Sequence, residues 1–211
     1  MFLEVLDKKQ KKLLPQLAFL KKYGFYMTGG TALALQIGHR TSLDFDFYTE
    51  KKFDNEKLLR ELEKRFKDIK LIQNPEQTLI VKINRKEISF FHYPYPLIYS
   101  LVRNKEIPPL ASKKDIAATK VMAIIQRGTK RDFIDIYFLI KEFGLKEIFE
   151  IANKKYPSFN KYLALQALTY FEDAEKEKKK RKVTYIKEVN WPKIKDFLIK
   201  TVSDFKKLYF K

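Results

Sequence analysis

Residues 29–49, GGTALALQIGHRTSLDFDFYT, bring together the residue types that phosphate and metal chemistry needs. Gly29 and Gly30 carry no side chains, so a ligand can approach their backbone closely. They stand between a strand-like stretch, YGFYMT, and a short helical pattern from Thr31 to Ile37 that Gly38 stops. Backbone N–H groups and the dipole at a helix N-terminus favour phosphate, and the hydroxyl of Thr31 or Thr28 can add a donor. The pattern is neither G-x-x-x-x-G-K-[ST] nor G-x-G-x-x-G, so neither the P-loop nor the dinucleotide fingerprint is present. Read alone, the two glycines fit equally a tight turn with no ligand.

Asp44 and Asp46 narrow that choice. Leu43–Tyr48 alternates apolar and polar residues, the period of a half-buried strand. Alternation puts Asp44 and Asp46 on one face and Leu43, Phe45 and Phe47 on the other. Two carboxylates on one side repel unless a cation lies between them. Mg2+, or Mn2+, suits such oxygen donors and usually recruits substrate phosphate as well. A paired-carboxylate site can hold one or two metals that align an attacking oxygen with phosphorus and neutralise a leaving pyrophosphate. An edge strand with harmless polar residues is the alternative, and the glycine turn just upstream weighs against it.

The elements that must position these residues follow from periodicity and breakers. Helices are predicted over 8–22, Thr31–Ile37 and Asp54–Phe66, the last with Asp54 as its cap. Strands are predicted at the YGFYMT stretch and over Leu43–Tyr48, Ile69–Ile72, Gln77–Ile83 and Glu87–Tyr93. Pro94 and Pro96 end the sheet region, and YPYP reads as a structural corner. Beyond it the pattern is helical: Ser112–Gln126, Arg131–Phe143, 145–155, 159–172 and 191–208. The run EDAEKEKKKRKVT reads as a solvated helix end or loop. The reading is an α/β mixed sheet flanked by helices over residues 1–96, then a helical region over 97–211.

Composition sets the outer bounds. The chain has 211 residues, enough to bury a real core, and no cysteine, which excludes disulfides and thiolate metal sites. That cysteine usage points to the cytoplasm. Neither a signal-peptide core nor an apolar run near the roughly 20 residues of a membrane helix is visible, so no membrane partner is expected. Lys and Arg number 44 against 26 Asp and Glu, a formal charge of +18. Such a charge favours polyanions, nucleic acid above all. A Lys-rich surface that merely solvates the protein gives the same count. His39 and His92 are the only histidines and fall on different elements, so no histidine metal site is expected.

GGTALAL followed by GHRTSLDFDF resembles the first motif of the nucleotidyltransferase superfamily. More narrowly, GGTAL, RTSLDFDF, YPYP and RDFIDI, in this order over residues 27–140, are similar to the AbiEii/AbiGii-type toxins of toxin–antitoxin and abortive-infection systems. The resemblance implies a nucleotidyltransferase-like fold with a triphosphate at Gly29, Gly30 and Thr31. It implies metal at Asp44 and Asp46, and a phosphate contact or a brace for Asp44 from Arg40, which fills the arginine slot of R-x-S-x-D. It also implies that Lys120 contacts phosphate. Lys120 is the only charge between Ile116 and Ile125, on a stripe with Ala117, Ala123 and Arg127; a lysine snorkelling to the surface is the other reading. Asp132 and Asp135 share a helix face; the resemblance implies that this R-D-x-x-D pair completes the site, with Asp132 as the more direct participant, and a helix cap or a pair with Arg127 or Arg131 is the other reading for one of them. One departure stands out. Relatives often read K-V-D-F before YPYP, whereas this chain reads KEISFFHYPYP, with Ser89 where a third acid is expected and Glu87 two residues earlier on the same face.

The expected activity is Mg2+-dependent transfer of a nucleotide from an NTP to RNA, with tRNA among the acceptors and an antitoxin protein as a counterpart. The alternative is a nucleotide- or RNA-binding protein on the same scaffold without transfer, for which Ser89 is the best support.

Overall fold

The alternation around Asp46 builds the centre of a mixed sheet. In the computed structural model, which describes residues 1–177 and 183–209, Phe45–Thr49 forms strand β2, with Phe45 and Phe47 fully buried and Asp46 and Tyr48 half-buried. The other strands are β1 (Tyr26–Thr28), β3 (Ile69–Gln73), β4 (Thr78–Ile83) and β5 (Lys86–His92). The five lie in the order β1-β2-β5-β4-β3, with β2 parallel to β5 and the remaining pairs antiparallel. The mixed sheet flanked by helices is therefore as expected. On the core face, Phe47 and Phe90 are in register and stack with centroids 5.5 Å apart, and Phe25 meets Phe90 edge-on at 5.3 Å.

The chain divides into two compact units, Met1–Ser112 and Lys113–Lys211. Residues 97–112 thus group with the sheet rather than with the helical part in which they were expected. The reason is backbone pairing: Met27 N–H donates to the Pro109 carbonyl and Ala111 N–H to the Met27 carbonyl, both at 2.8 Å, so 109–111 covers the open edge of β1.

In the first unit α1 (Lys8–Gln16) opens with a reciprocal capping box between Asp7 and Gln10. The helix expected over 8–22 stops at Gln16, where Leu17 N–H turns to the Leu14 carbonyl at 3.1 Å, and a 3-10 segment follows over Ala18–Tyr23. Helix α2 is Gly29–Ile37, so Gly29 and Gly30 form its first turn instead of a loop before it. Helix α3 (Asn55–Glu63) carries the Asp54 cap, whose carboxylate accepts from Lys57 N–H at 3.0 Å.

The second unit is helical: α4 (Lys113–Gln126), α5 (Lys130–Phe143), α6 (Leu145–Lys155), α7 (Lys161–Ala167), α8 (Glu172–Lys176) and α9 (Trp191–Tyr209). Helix α4 packs on α5, α6 and α7, and α9 on α5 and α6. The helix expected over 159–172 is broken after α7, where the Thr169 hydroxyl takes the Leu165 and Gln166 carbonyls. Of the charge run, Glu172–Lys176 is α8, and 178–182 lies outside the described residues. No described helix is long and apolar enough to cross a membrane.

The two faces of β5 give a direct check on the core assignment. Phe90 is fully buried between neighbouring rings, whereas Phe91 points to the half-exposed face. Phe90→Ala is expected to cost about 3–5 kcal/mol in denaturant unfolding, and Phe91→Ala less than about half of that.

Candidate active site

Register places the first acid. β1 pairs Thr28 with Asp46, and β2 pairs Asp46 with Ser89. Side chains in register on neighbouring strands share a face, so Thr28, Asp46 and Ser89 form one row opposite the Phe47–Phe90 core. Asp44 lies just outside the strand that was expected to contain it, since β2 begins at Phe45. Its position is set by a tether instead of by the pleat. The buried Thr31 hydroxyl donates to the Asp44 carbonyl oxygen and shares a hydrogen bond with Ser42 Oγ at 2.7 Å. Thr31 therefore joins the first turn of α2 to the segment that leads into β2. Ser42 was not foreseen; its place in R-x-S-x-D was the available signal.

The glycines are shaped by what lies against them. Gly29 has φ +71°, and a Cβ there would stand 2.7 Å from Asp46 Oδ2. A side chain is thus excluded by backbone conformation and by the carboxylate together. A Cβ on Gly30 would run into the guanidinium of Arg40, which is buried and donates from Nη1 to the Thr41 carbonyl at 3.1 Å. Thr28, the N-cap residue, makes no side-chain cap to the helix. The start of α2 is therefore met by the carboxylate of Asp46 and the cation of Arg40. Gly29, Gly30, Thr31, Arg40, Asp44 and Asp46 come together within the first unit.

Lys120 and Asp132 come together within the second. Lys120 does not snorkel: its side chain is 7% exposed, and Nζ donates to Asp132 Oδ1 at 2.8 Å and pairs with Asp135 Oδ2 at 2.6 Å. Asp132 also accepts from Arg127 Nε at 3.1 Å and from Thr129 Oγ1 at 2.6 Å. Burial alone would raise the Asp132 carboxyl. The charges of Lys120 and Arg127 and the hydrogen bonds from Lys120 and Thr129 outweigh burial and bring its pKa from 3.8 to about 2.

Among the described residues no group of three or more His, Cys, Asp or Glu is placed to hold an ion, so Glu87 does not complete a three-carboxylate set with Asp44 and Asp46. The donors at the sheet are two carboxylates and the neutral Ser89. The aromatic run splits by alternation: Phe90 is core, and Phe91, Tyr93 and Tyr95 are half-buried.

Comparison with known proteins decides the family. The model of the family described as "Nucleotidyl transferase AbiEii toxin, Type IV TA system" matches residues 13–210. The chain belongs to the AbiEii nucleotidyltransferase toxin family. The uncharacterized protein aq_aa25 of Aquifex aeolicus (strain VF5) is 36% identical over 206 residues, 95% of this chain and 97% of that protein. The crystal structure of a candidate nucleotidyltransferase from H. pylori shares the fold with a TM-score of 0.59 at 17% identity, over 98% of this chain and 100% of that one. MenT4, a nucleotidyltransferase toxin of Mycobacterium tuberculosis H37Rv, does so with a TM-score of 0.59 at 13% identity, over 92% and 81%. Membership makes this chain a nucleotidyltransferase.

Within this AbiEii chain one buried pair was missed from sequence. Lys155 Nζ donates to Asp115 Oδ1 at 3.0 Å between α6 and α4, and each side chain is 2% exposed. The signal was present, because Lys155 continues the apolar stripe Ile148, Phe149 and Ala152 of α6, just as Lys120 interrupts that of α4.

The Lys120 cluster generates an acid-sensitivity prediction. The folded pKa of Asp132 lies below its unfolded value, so its contribution is complete above about pH 4 and disappears as pH falls toward 2. It amounts to about 2 kcal/mol. Chemical melts at pH 6, 4 and 2.5 are expected to lose most of that share in the wild type, whereas Asp132→Asn lacks it at every pH and loses correspondingly less on acidification. Lys120→Met, which strands two buried carboxylates, is expected to lose about 3–5 kcal/mol at neutral pH.

Proposed function

We propose that this AbiEii protein transfers a nucleotide from an NTP to an RNA acceptor, tRNA among the candidates, as the toxin of a toxin–antitoxin pair whose antitoxin is a separate protein. The observation that carries the reading is the carboxylate of Asp46 held against the side-chain-free first turn of α2, with Asp44 tethered alongside through Thr31. Two hard oxygen donors beside a helix N-terminus fit Mg2+, or Mn2+, which commonly uses one or two carboxylates and completes its shell with water and phosphate. Asp44 and Asp46 would hold the ion. When bound, it neutralises charge on the triphosphate and on the departing pyrophosphate.

The chain's own groups supply the rest of the reading. N–H groups of the first turn, Gly29 to Thr31, bind phosphate oxygens, and the missing Cβ atoms let the phosphates approach. Arg40 adds a fixed cation beside Gly30. Lys120 acts as an electrostatic stabiliser of phosphate charge. Asp132, with its pKa near 2, is a weak base at neutral pH; this favours a role in orienting Lys120 over one in taking a proton from the acceptor hydroxyl. Ser89, in register with Asp46, leaves two carboxylates at the sheet and favours one metal over two. It is also the best support for binding without transfer, against which family membership weighs.

Incubation with each labelled NTP, Mg2+ and total RNA tests the proposal. One NTP is expected to label a small RNA fraction, and Asp46→Asn to reduce labelling by about a hundredfold or more while the fold survives. Label on protein alone, or equal labelling by Asp46→Asn, rejects the assignment.

Ser89→Asp tests the metal geometry separately. A third carboxylate in the Asp46 row adds repulsion without metal and a ligand with it. The melting temperature is expected to fall in EDTA and to recover in excess Mg2+, which widens the gap seen for wild type. An unchanged gap places the metal away from this row.

A further inference from the structure

The outer half of the sheet carries like charges that the fold does not explain. β3 and β4 place Lys70 directly opposite Lys82, and β4 and β5 place Lys82 opposite Glu87. Glu87 precedes Ser89 by two residues on β5, so the row Glu87–Lys82–Lys70 lies on the face of Asp46 and Ser89, one row along. Like charges directly opposite destabilise a sheet. Lys70 and Lys82 are both exposed, and neither is within ion-pair distance of a carboxylate among the described residues, Glu87 included. A lysine on an edge strand discourages pairing with another chain, which accounts for Lys70. β4 is an interior strand, so that account does not reach Lys82.

A second observation lies at the end of the same hairpin. Asn84 and Arg85 form the two-residue connection between β4 and β5, with φ +51° and +67°. Such a turn favours glycine at its second position, because a Cβ is strained there. This chain keeps an exposed arginine there instead. Asn84 N–H donates to the Asp68 carbonyl at 3.0 Å, which holds the tip beside the start of β3 and hence near Lys70. Asp7, Asp68 and Glu87 are the acidic residues at this end, against Lys67, Lys70, Lys82, Arg85 and Lys86, and Asp7 pairs with Lys86.

The parallel pairing of Phe45 with Ile88 aligns this end of the sheet with the entry of Asp44 into β2. At the usual strand spacing Lys82 is about 10 Å from β2 and Lys70 about 14 Å. A triphosphate seated at the first turn of α2 does not extend that far, but a polymer does. We propose that Arg85, Lys82 and Lys70 are phosphate contacts for the RNA acceptor, whose backbone crosses β4 and β3 while its reacting end reaches Asp44 and Asp46. This rests on the RNA-acceptor reading above.

Fluorescence anisotropy with a labelled tRNA, over a salt series, tests the track, with Mg2+-dependent NTP binding measured in parallel. The double variant Lys70→Gln/Lys82→Gln is expected to bind tRNA about tenfold more weakly, with a salt slope shallower by about 1.4 to 1.8, and to bind NTP as wild type does. Arg85→Gly is expected to raise the melting temperature while it weakens tRNA binding, opposite changes that a merely structural arginine would not produce. If wild type binds tRNA and the variants match it in affinity and slope, the track is wrong and the RNA-acceptor reading stands. If the variants lose NTP binding in proportion, the residues serve the nucleotide or the fold, and the track is again wrong. If wild type binds neither tRNA nor total RNA, the acceptor reading fails and the track with it.

Discussion

The approach of the Asp46 carboxylate to the first turn of α2 is the contact on which the candidate site depends. It requires a glycine with a left-handed backbone at position 29, since any Cβ would collide with Oδ2. It also requires β2 to run beside β1 so that Thr28 and Asp46 are in register, and a buried apolar face, Phe45 and Phe47, to hold β2 in place. Thr31 adds the final constraint by tying the entry of β2 to the same helix. Strand, turn and helix are thus fixed by side chains that lie within one short stretch of sequence.

The helical unit is organised by buried charge. Lys120 with Asp132 and Asp135, and Lys155 with Asp115, join α4 to α5 and to α6. Desolvation makes such groups costly to assemble, and loss of one partner leaves a bare charge inside. Their value is positional: a paired charge allows few helix registers. A substitution at Lys120 therefore disturbs the fold by leaving Asp132 and Asp135 without their shared cation.

The large positive charge has more than one source. Lys120 and Lys155 lie inside beside carboxylates, and Lys86 and Lys113 pair with Asp7 and Glu142, so these lysines add little to what a polyanion meets. Charge near the proposed acceptor path is set instead by pairing register, which puts Lys82 beside Lys70. Simple exposure of lysine solvates a protein; opposed lysines on a shared face create a local field.

Much of this was legible in the sequence because the determining interactions are local. Alternation around Phe45 and Phe47 specified a half-buried strand, Asp54 specified a helix start, and the order of motifs specified the family. Gly29, Gly30, Asp44 and Asp46 stood out by residue type and spacing. Other features depended on contacts between segments far apart in the chain. The assignment of 97–112 to the first unit rests on backbone pairing with β1, which composition does not record. Asp44 fell outside the strand because a threonine thirteen residues upstream holds its carbonyl. Whether Lys120 reached solvent or two carboxylates was undecided by its stripe, since an apolar face does not name the neighbour that covers it. Spacing determined which residues could share a face, and only the tertiary structure decided what each face met, because register and burial arise from pairing across the whole chain.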